Sequence, residues 1–247
     1  MSFVEVKNIS FAYDKSKKVL NNLSVSFEKG KIIALIGKNG SGKSTFLDCL
    51  LGVNDYEGTI LIDGQNIKDL SDKEYARLVS FIPQSVQIYI DYSIRDFISF
   101  GRNPHTKLGL TLTDKDYDIV EKNAEKCGIA DLLENDINKV SGGERQLAFI
   151  ARALTQETPI IIMDEPTAAL DFGNQQKLFR IMKALMQEGK TIIFTTHNPN
   201  HILHLDCEIY AINDGVLNKV EALDGNILKT LYGEEFVESK DAFLFKL

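Results

Sequence analysis

The sequence predicts an α/β fold, a mostly parallel sheet with helices on its outside, and three observations predict it. Lys31-Ile32-Ile33-Ala34-Leu35-Ile36 is a nearly continuous apolar run, as a strand buried on both faces requires. Ile160-Ile161-Ile162-Met163 and Thr191-Ile192-Ile193-Phe194 repeat that pattern far downstream. Between those two runs, Leu178, Ile181, Met182, Leu185 and Met186 follow helical spacing, so strand alternates with helix.

The elements follow in order. Val4-Glu5-Val6 and Leu23-Ser24-Val25-Ser26-Phe27 alternate with period two, which gives opening strands before a turn at Glu28-Lys29-Gly30. After the first buried strand a glycine-rich loop, Gly37 to Gly42, leads into a helix with Leu47, Leu50 and Leu51 on one side. Thr59-Ile60-Leu61-Ile62 before Asp63-Gly64, and Val79-Ser80-Phe81-Ile82, read as further strands. Ser71-Asp72-Lys73-Glu74 between them is a capping box that opens a short helix. From about Gln84 to Thr155 the pattern is helical, with Ser93 as an N-cap and a helix from Thr113 to Gly128. Asn213-Asp214-Gly215 between two apolar runs signals a hairpin. The helical middle, about 87–155, reads as an insertion into an α/β core of about 1–86 and 156–247, all within one domain.

Composition narrows the function classes. Of 247 residues 44% are hydrophobic and 26% charged, which excludes a disordered or fibrous chain. Lys+Arg 28 against Asp+Glu 35 gives a net charge of −7, which argues against a generally basic binder of nucleic acid. No stretch approaches the ~18 consecutive apolar residues of a membrane span. The start, Met1-Ser2-Phe3-Val4-Glu5, lacks a secretory pattern. Cys49, Cys127 and Cys207 have neither metal-ligand nor redox spacing and read as reduced, mostly buried thiols.

Gly37-Lys38-Asn39-Gly40-Ser41-Gly42-Lys43-Ser44 matches G-x-x-x-x-G-K-[ST], between a buried strand and a helix. Glycines let successive N–H groups turn toward phosphate oxygens, and the helix N-terminus adds positive charge. Lys43 can reach the β- and γ-phosphates, the Ser44 hydroxyl can hold Mg²⁺, and Thr45 can add a phosphate contact. A second element is Ile160 to Met163 followed by Asp164-Glu165. A buried strand ending in an acid puts Asp164 at the sheet's carboxyl edge, suited to hold Mg²⁺ directly or through water. Glu165 points elsewhere and can polarise an attacking water.

The ordered set of motifs resembles an ABC-transporter ATPase over essentially the whole chain. Val140-Ser141-Gly142-Gly143-Glu144-Arg145-Gln146 resembles the ABC signature. The resemblance implies a P-loop NTPase (RecA-like) core with an N-terminal antiparallel β subdomain and an inserted α-helical subdomain. It makes Tyr13 an adenine-stacking aromatic, Gln84 a Q-loop residue contacting Mg²⁺ and water, Asp171 part of the D-loop in Ala169-Leu170-Asp171, and His197 the switch histidine that contacts the γ-phosphate. Gly37, Asn39, Gly40, Ser41 and Gly42 form the phosphate cradle with Lys43, Ser44 and Thr45. Ser141, Gly142 and Gly143 then bind the γ-phosphate of ATP held by the other copy in a head-to-tail homodimer.

Plainer readings stand beside these. Phe11 and Tyr13 alternate around Ala12 as ordinary strand residues do, and Gln84 after Pro83 fits a plain loop. Ser141-Gly142-Gly143-Glu144 is also a capping box at a helix start. Glu144 departs from the commoner Gln and adds negative charge near a phosphate site, unless it folds back on the cap. His197, His201 and His204 have near-helical spacing, but Pro199 interrupts it and no carboxylate or Cys completes a metal set.

Asp91-Tyr92-Ser93-Ile94-Arg95-Asp96, Gly101-Arg102-Asn103-Pro104-His105, Leu170 to Gln175 and the stretch Leu228 to Gly233 resemble ATPases of importers of ferric siderophores, haem and cobalamin. That resemblance implies ATP hydrolysis with Mg²⁺ at the cytoplasmic face of the membrane. It also implies separate permease subunits docking around Gln84 to Pro104, and indirectly a substrate-binding protein. The alternative is a soluble ABC-type ATPase that uses ATP binding as a switch without transport.

Overall fold

The computed structural model describes residues 2–14, 18–84, 86–106, 111–233, 236–239 and 242–245. The strands and helices follow in this order: β1 (Ser2–Phe11), β2 (Leu20–Glu28), β3 (Ile32–Ile36), α1 (Lys43–Leu50), β4 (Glu57–Ile62), β5 (Gln65–Asn66), α2 (Asp72–Leu78), β6 (Val79–Ile82), α3 (Ile94–Ser99) and α4 (Asp114–Cys127). They continue with α5 (Gly142–Thr155), β7 (Ile160–Met163), α6 (Phe172–Gln187), β8 (Thr191–Thr196), α7 (Asn200–Leu203), β9 (Glu208–Asn213), β10 (Val216–Val220), α8 (Gly225–Tyr232), β11 (Phe236–Ser239) and β12 (Ala242–Phe245). Two compact units result, Met1–Leu70 with Met186–Leu247, and Ser71–Leu185.

The first unit holds an antiparallel sheet in the order β2-β1-β4-β5. Val4, Val6 and Ile9 of β1 and Leu20, Leu23 and Phe27 of β2 are buried, the inward positions of the period-two pattern. The β1–β2 register shifts between Val6 and Ile9. There Asn8 (φ 54°) and Asn22 (φ 49°) take left-handed backbone, which asparagine tolerates better than most residues. Their N–H groups are taken up by serine hydroxyls, Asn8 to Ser24 and Asn22 to Ser10, each at 2.9 Å.

In the same unit β3 lies between β8 and β9 and runs parallel to both, with β10 antiparallel on β9. All five residues of β3 are buried, the reason its sequence is apolar without alternation. The β9–β10 turn carries Asp214 (φ 48°) and Gly215 (φ 74°), the paired positive φ of a tight hairpin that Asp-Gly supplies.

In the second unit β6 and β7 pair in parallel, Val79 with Ile160 through Ile82 with Met163. Successive carbonyls of a strand point to opposite edges. Ile82 C=O accepts the Asp164 N–H at 2.9 Å on the β7 side. On the other edge three side chains of α5 and its C-cap donate to alternate carbonyls: the cap Gln156 to Val79 at 2.9 Å, Arg152 to Phe81 at 3.4 Å and Gln146 to Pro83 at 3.3 Å. The lengths match, since ten helical residues rise about 15 Å and four strand residues about 13 Å. The apolar remainder of α5, Leu147 to Ala151 with Ala153 and Leu154, is buried.

Arg102 explains much of the helical region. Its side chain is 8% exposed and donates to Asp116 at 2.9 Å, Glu157 at 2.8 Å and the Thr155 carbonyl at 2.8 Å. It thereby fastens the start of α4 to the end of α5. Gly101 beside it packs so closely on the Arg152 carbonyl that a side chain would collide there. Arg152 lies over the rings of Phe97 and Phe149, 5.1 and 5.3 Å from their centroids. Among the described residues no helix is long and apolar enough to cross a membrane.

Candidate functional site

The phosphate-loop motif occupies the turn from β3 to α1, as its sequence context requires. Gly37 has φ 152°, and a side chain there would meet the Ile212 carbonyl at 2.6 Å and Ser41 Oγ at 2.8 Å. Lys43 is nearly buried, and its Nζ donates to the Gly37 carbonyl at 2.8 Å and the Lys38 carbonyl at 3.1 Å. The ammonium is thus folded over its own loop. Gly42, the N-cap of α1, provides no side-chain acceptor for the first-turn N–H groups. Ser41 Oγ is buried and has no hydrogen-bond partner among the described residues. Uncapped amides, an inward ammonium and an unpartnered hydroxyl fit a phosphate group. Asn39, Gly40 and Ser44 are exposed at the same turn.

Tyr13 is 67% exposed, and its hydroxyl is hydrogen-bonded to Thr45 Oγ1 at 3.1 Å. Phe11 packs edge-on against its ring with centroids 4.9 Å apart. The tyrosine is therefore held at both ends with ring surface open to solvent. It borders a cavity of about 390 Å³ that Ser10, Lys18, Asp55 and Tyr56 also line.

In the same unit His197 follows β8 and is exposed. His201 is buried; its Nδ1 pairs with Thr196 Oγ1 at 2.9 Å and its Nε2 with Asn198 Nδ2 at 3.2 Å. Burial first, then the nearby His197 and His204, push its pKa down to about 4.

The second unit brings two of the sequence-derived residues into contact. Gln84 Nε2 donates to Glu165 Oε2 at 3.1 Å. Within this unit the Gln84 side-chain oxygen and the Asp164 carboxylate are oxygen donors, the type Mg²⁺ takes. Glu165 has φ 43°, a left-handed backbone unusual for glutamate. Asp171 is an N-cap-like acceptor before α6: its Oδ1 receives the Asn174 N–H at 2.8 Å.

The signature segment begins α5. Ser141 is the N-cap, and Glu144 folds back on it. One Glu144 oxygen accepts both the Ser141 N–H at 2.8 Å and the Ser141 hydroxyl at 2.7 Å. Those bonds hold the Glu144 carboxyl below its ordinary range. The alternative left open by the sequence is thereby decided in favour of the cap. Gly142 and Ser141 are exposed, and nothing lies within 4 Å of a side chain built at Gly142.

Two features escape the sequence reading. The left-handed backbone of Glu165 has no glycine or asparagine to mark it. Gln146 is buried, and its bond to the carbonyl of Pro83 sets the residue before Gln84. The available signal was the recurrence of polar Gln146, Arg152 and Gln156 around an apolar helix run.

Residues 20–168 match the ABC transporter family. The chain belongs to that family. This ABC protein is an ATPase on a P-loop NTPase fold, as the sequence resemblance implied. It is 35% identical over 235 residues to the petrobactin import ATP-binding protein YclP of Bacillus subtilis, covering 93% of this chain and 92% of that one. It is 31% identical over 238 residues to the iron(3+)-hydroxamate import ATP-binding protein FhuC of the same organism, covering 94% and 88%. Among solved structures, a chain of an inward-facing ABC transporter assigned to the metal-chelate type superposes with a TM-score of 0.82 at 28% identity, over 99% of this ABC chain and 96% of the other.

Proposed function

We propose that this ABC ATPase powers import of a metal chelate, of the ferric siderophore, haem or cobalamin type, through separate membrane permease subunits. One observation carries the reading: the similarity to import ATP-binding proteins for two iron chelates runs through more than nine-tenths of the chain. The protein acts as a homodimer at the cytoplasmic face of the membrane, with a substrate-binding protein delivering cargo. Its helical insert is placed at about 87–155 of a single ABC domain. The exposed Val86, Tyr89 and Ile90 favour permease docking around Gln84 to Pro104.

Each copy binds ATP through the Gly37–Gly42 loop and Lys43, with Thr45 as a further phosphate contact and adenine stacked on Tyr13. Ser141, Gly142 and Gly143 of one copy receive the γ-phosphate held by the other, and Asp171 joins that interface. Ser44, Gln84 and Asp164 would hold Mg²⁺, which would supply charge neutralisation to the phosphates. Glu165 takes a proton from water as the water oxygen bonds to the γ-phosphorus. The bond from that phosphorus to the bridging oxygen breaks, and ADP leaves with the electron pair. His197 contacts the γ-phosphate and keeps the water in register. The support is local: Gln84 already orients the Glu165 carboxylate, and Lys43 is folded over the loop.

The test is uptake. Cells lacking the chain are compared with complemented cells for iron-55 accumulation from ferric petrobactin and from a ferric hydroxamate, and for labelled cobalamin. Loss of one of these, restored by the wild type but not by Glu165→Gln, is the expected result. Normal uptake of all three, with the protein recovered only alongside soluble partners, would overturn the proposal.

A further inference from the structure

We propose that Gln146 is a positioning residue for ATP hydrolysis, tying the signature segment to Gln84 and through it to Glu165. The proposal rests on the ATPase reading above and deepens it. Gln146 lies two residues beyond Glu144, whose carboxylate closes the Ser141 cap at the tip of α5. Its side chain is buried, and its Nε2 donates to the Pro83 carbonyl at 3.3 Å. The next residue, Gln84, donates to Glu165 at 3.1 Å. Ile82, on the other side of Pro83, accepts the N–H of Asp164 at 2.9 Å. The short segment Ile82-Pro83-Gln84 is therefore held by β7 at one residue, by the signature helix at the next, and holds Glu165 at the third.

Pro83 has no N–H, so its carbonyl is its sole polar backbone group. Gln146 donates to it from the buried face of α5. Two further bonds to β6, from Arg152 of α5 and from its C-cap Gln156, fasten the helix along the strand. A displacement of Ser141 and Gly143 on meeting the partner's nucleotide then reaches Gln84 most directly through the Gln146 bond, the one nearest both ends. Gln146 is buried and therefore acts on the chemistry through Gln84.

The experiment uses the full chain with Gln146→Leu and Gln146→Met, which remove the donor at similar volume. The expected result is a kcat about tenfold lower with KM for ATP within about twofold, the size of one hydrogen bond lost at the transition state. In the Gln84→Ala background the same replacements cost less than about twofold further, because the pathway is already cut. A wild-type kcat in both variants, or losses that multiply in the double variants, would overturn the proposal. Sedimentation of Glu165→Gln with ATP separates the two readings. Failure of ATP to dimerise that variant overturns the proposed head-to-tail dimer and this inference with it; dimerisation with multiplying losses overturns this inference alone.

Discussion

Gln84 and Glu165 share a hydrogen bond of 3.1 Å, and the glutamate meets it from a left-handed backbone of φ 43°. Two independent constraints therefore aim one carboxylate. Strained φ values of this kind cost of order 1–3 kcal/mol and persist where surrounding structure imposes them. Here the Asp164 N–H bonded to Ile82 and the Ala168 N–H bonded to Glu165, at 2.9 and 3.1 Å, impose it from either side.

Glu165→Gln is expected to bind ATP normally and to lose turnover by about 10²- to 10⁴-fold, the span of a lost general base. Phosphate release and analytical ultracentrifugation check the two halves; an ATP-bound dimer should accumulate. Hydrolysis near the wild-type rate would remove Glu165 from its role.

Lys43→Ala acts earlier. It deletes the ammonium that now spans the Gly37 and Lys38 carbonyls, so the loop loses both its tether and its phosphate partner. Titration with labelled ATP should show affinity weaker by about ten- to a hundredfold, as for loss of a charge-assisted bond.

Glu144→Gln keeps an acceptor for the Ser141 cap but removes a negative charge from the tip of α5. ATP-driven dimerisation of the Glu165→Gln background should tighten by about two- to fivefold at low ionic strength. The gain should shrink in 0.5 M salt, roughly where the Debye length falls toward 3–5 Å. Unchanged association at both salt concentrations would count against an anion at this helix tip.

Arg102→Ala leaves Asp116 beside a vacated, mostly buried site and frees the Thr155 carbonyl. Loss of one partner of such a cluster costs about 3–5 kcal/mol, so the midpoint of thermal unfolding should drop by several degrees or more. Asp116 gives a pH signature as well. The Thr113 hydroxyl and N–H, then Arg102, lower its pKa to about 2. Its contribution is complete above the unfolded value of about 3.9 and is lost as pH falls toward 2.

His201 sets a second dependence, at higher pH. Its folded pKa of about 4 lies below the ordinary 6.5, so the folded state resists a proton that the unfolded chain accepts. Stability is full above about pH 6.5 and declines as pH falls from there to about 4. Melting curves at pH 7.5 and pH 5 measure the drop, and His201→Gln should reduce it.

The fold was legible wherever burial wrote a period into the sequence. β3 and β7 are apolar because both faces are covered, and Ser71, Ser93 and Thr113 start helices because their oxygens accept N–H groups near the helix start. The strand–glycine turn–helix around Lys43 and Ser44 was legible because that motif needs fixed residue types at fixed spacing. The backbone of Glu165 was not, since its conformation comes from the tertiary bonds around it and not from its own preference. Gln146 was hidden for a related reason: a buried glutamine reads as noise until the carbonyl that it serves is known.

The outer edge of β6 has one last consequence. An edge strand with bare carbonyls invites a foreign strand to add by main-chain pairing, a common start of aggregation. Gln146, Arg152 and Gln156 occupy the acceptors at Pro83, Phe81 and Val79. Sheet extension is thereby blocked at that border, and a variant stripped of these side chains should be prone to polymerise.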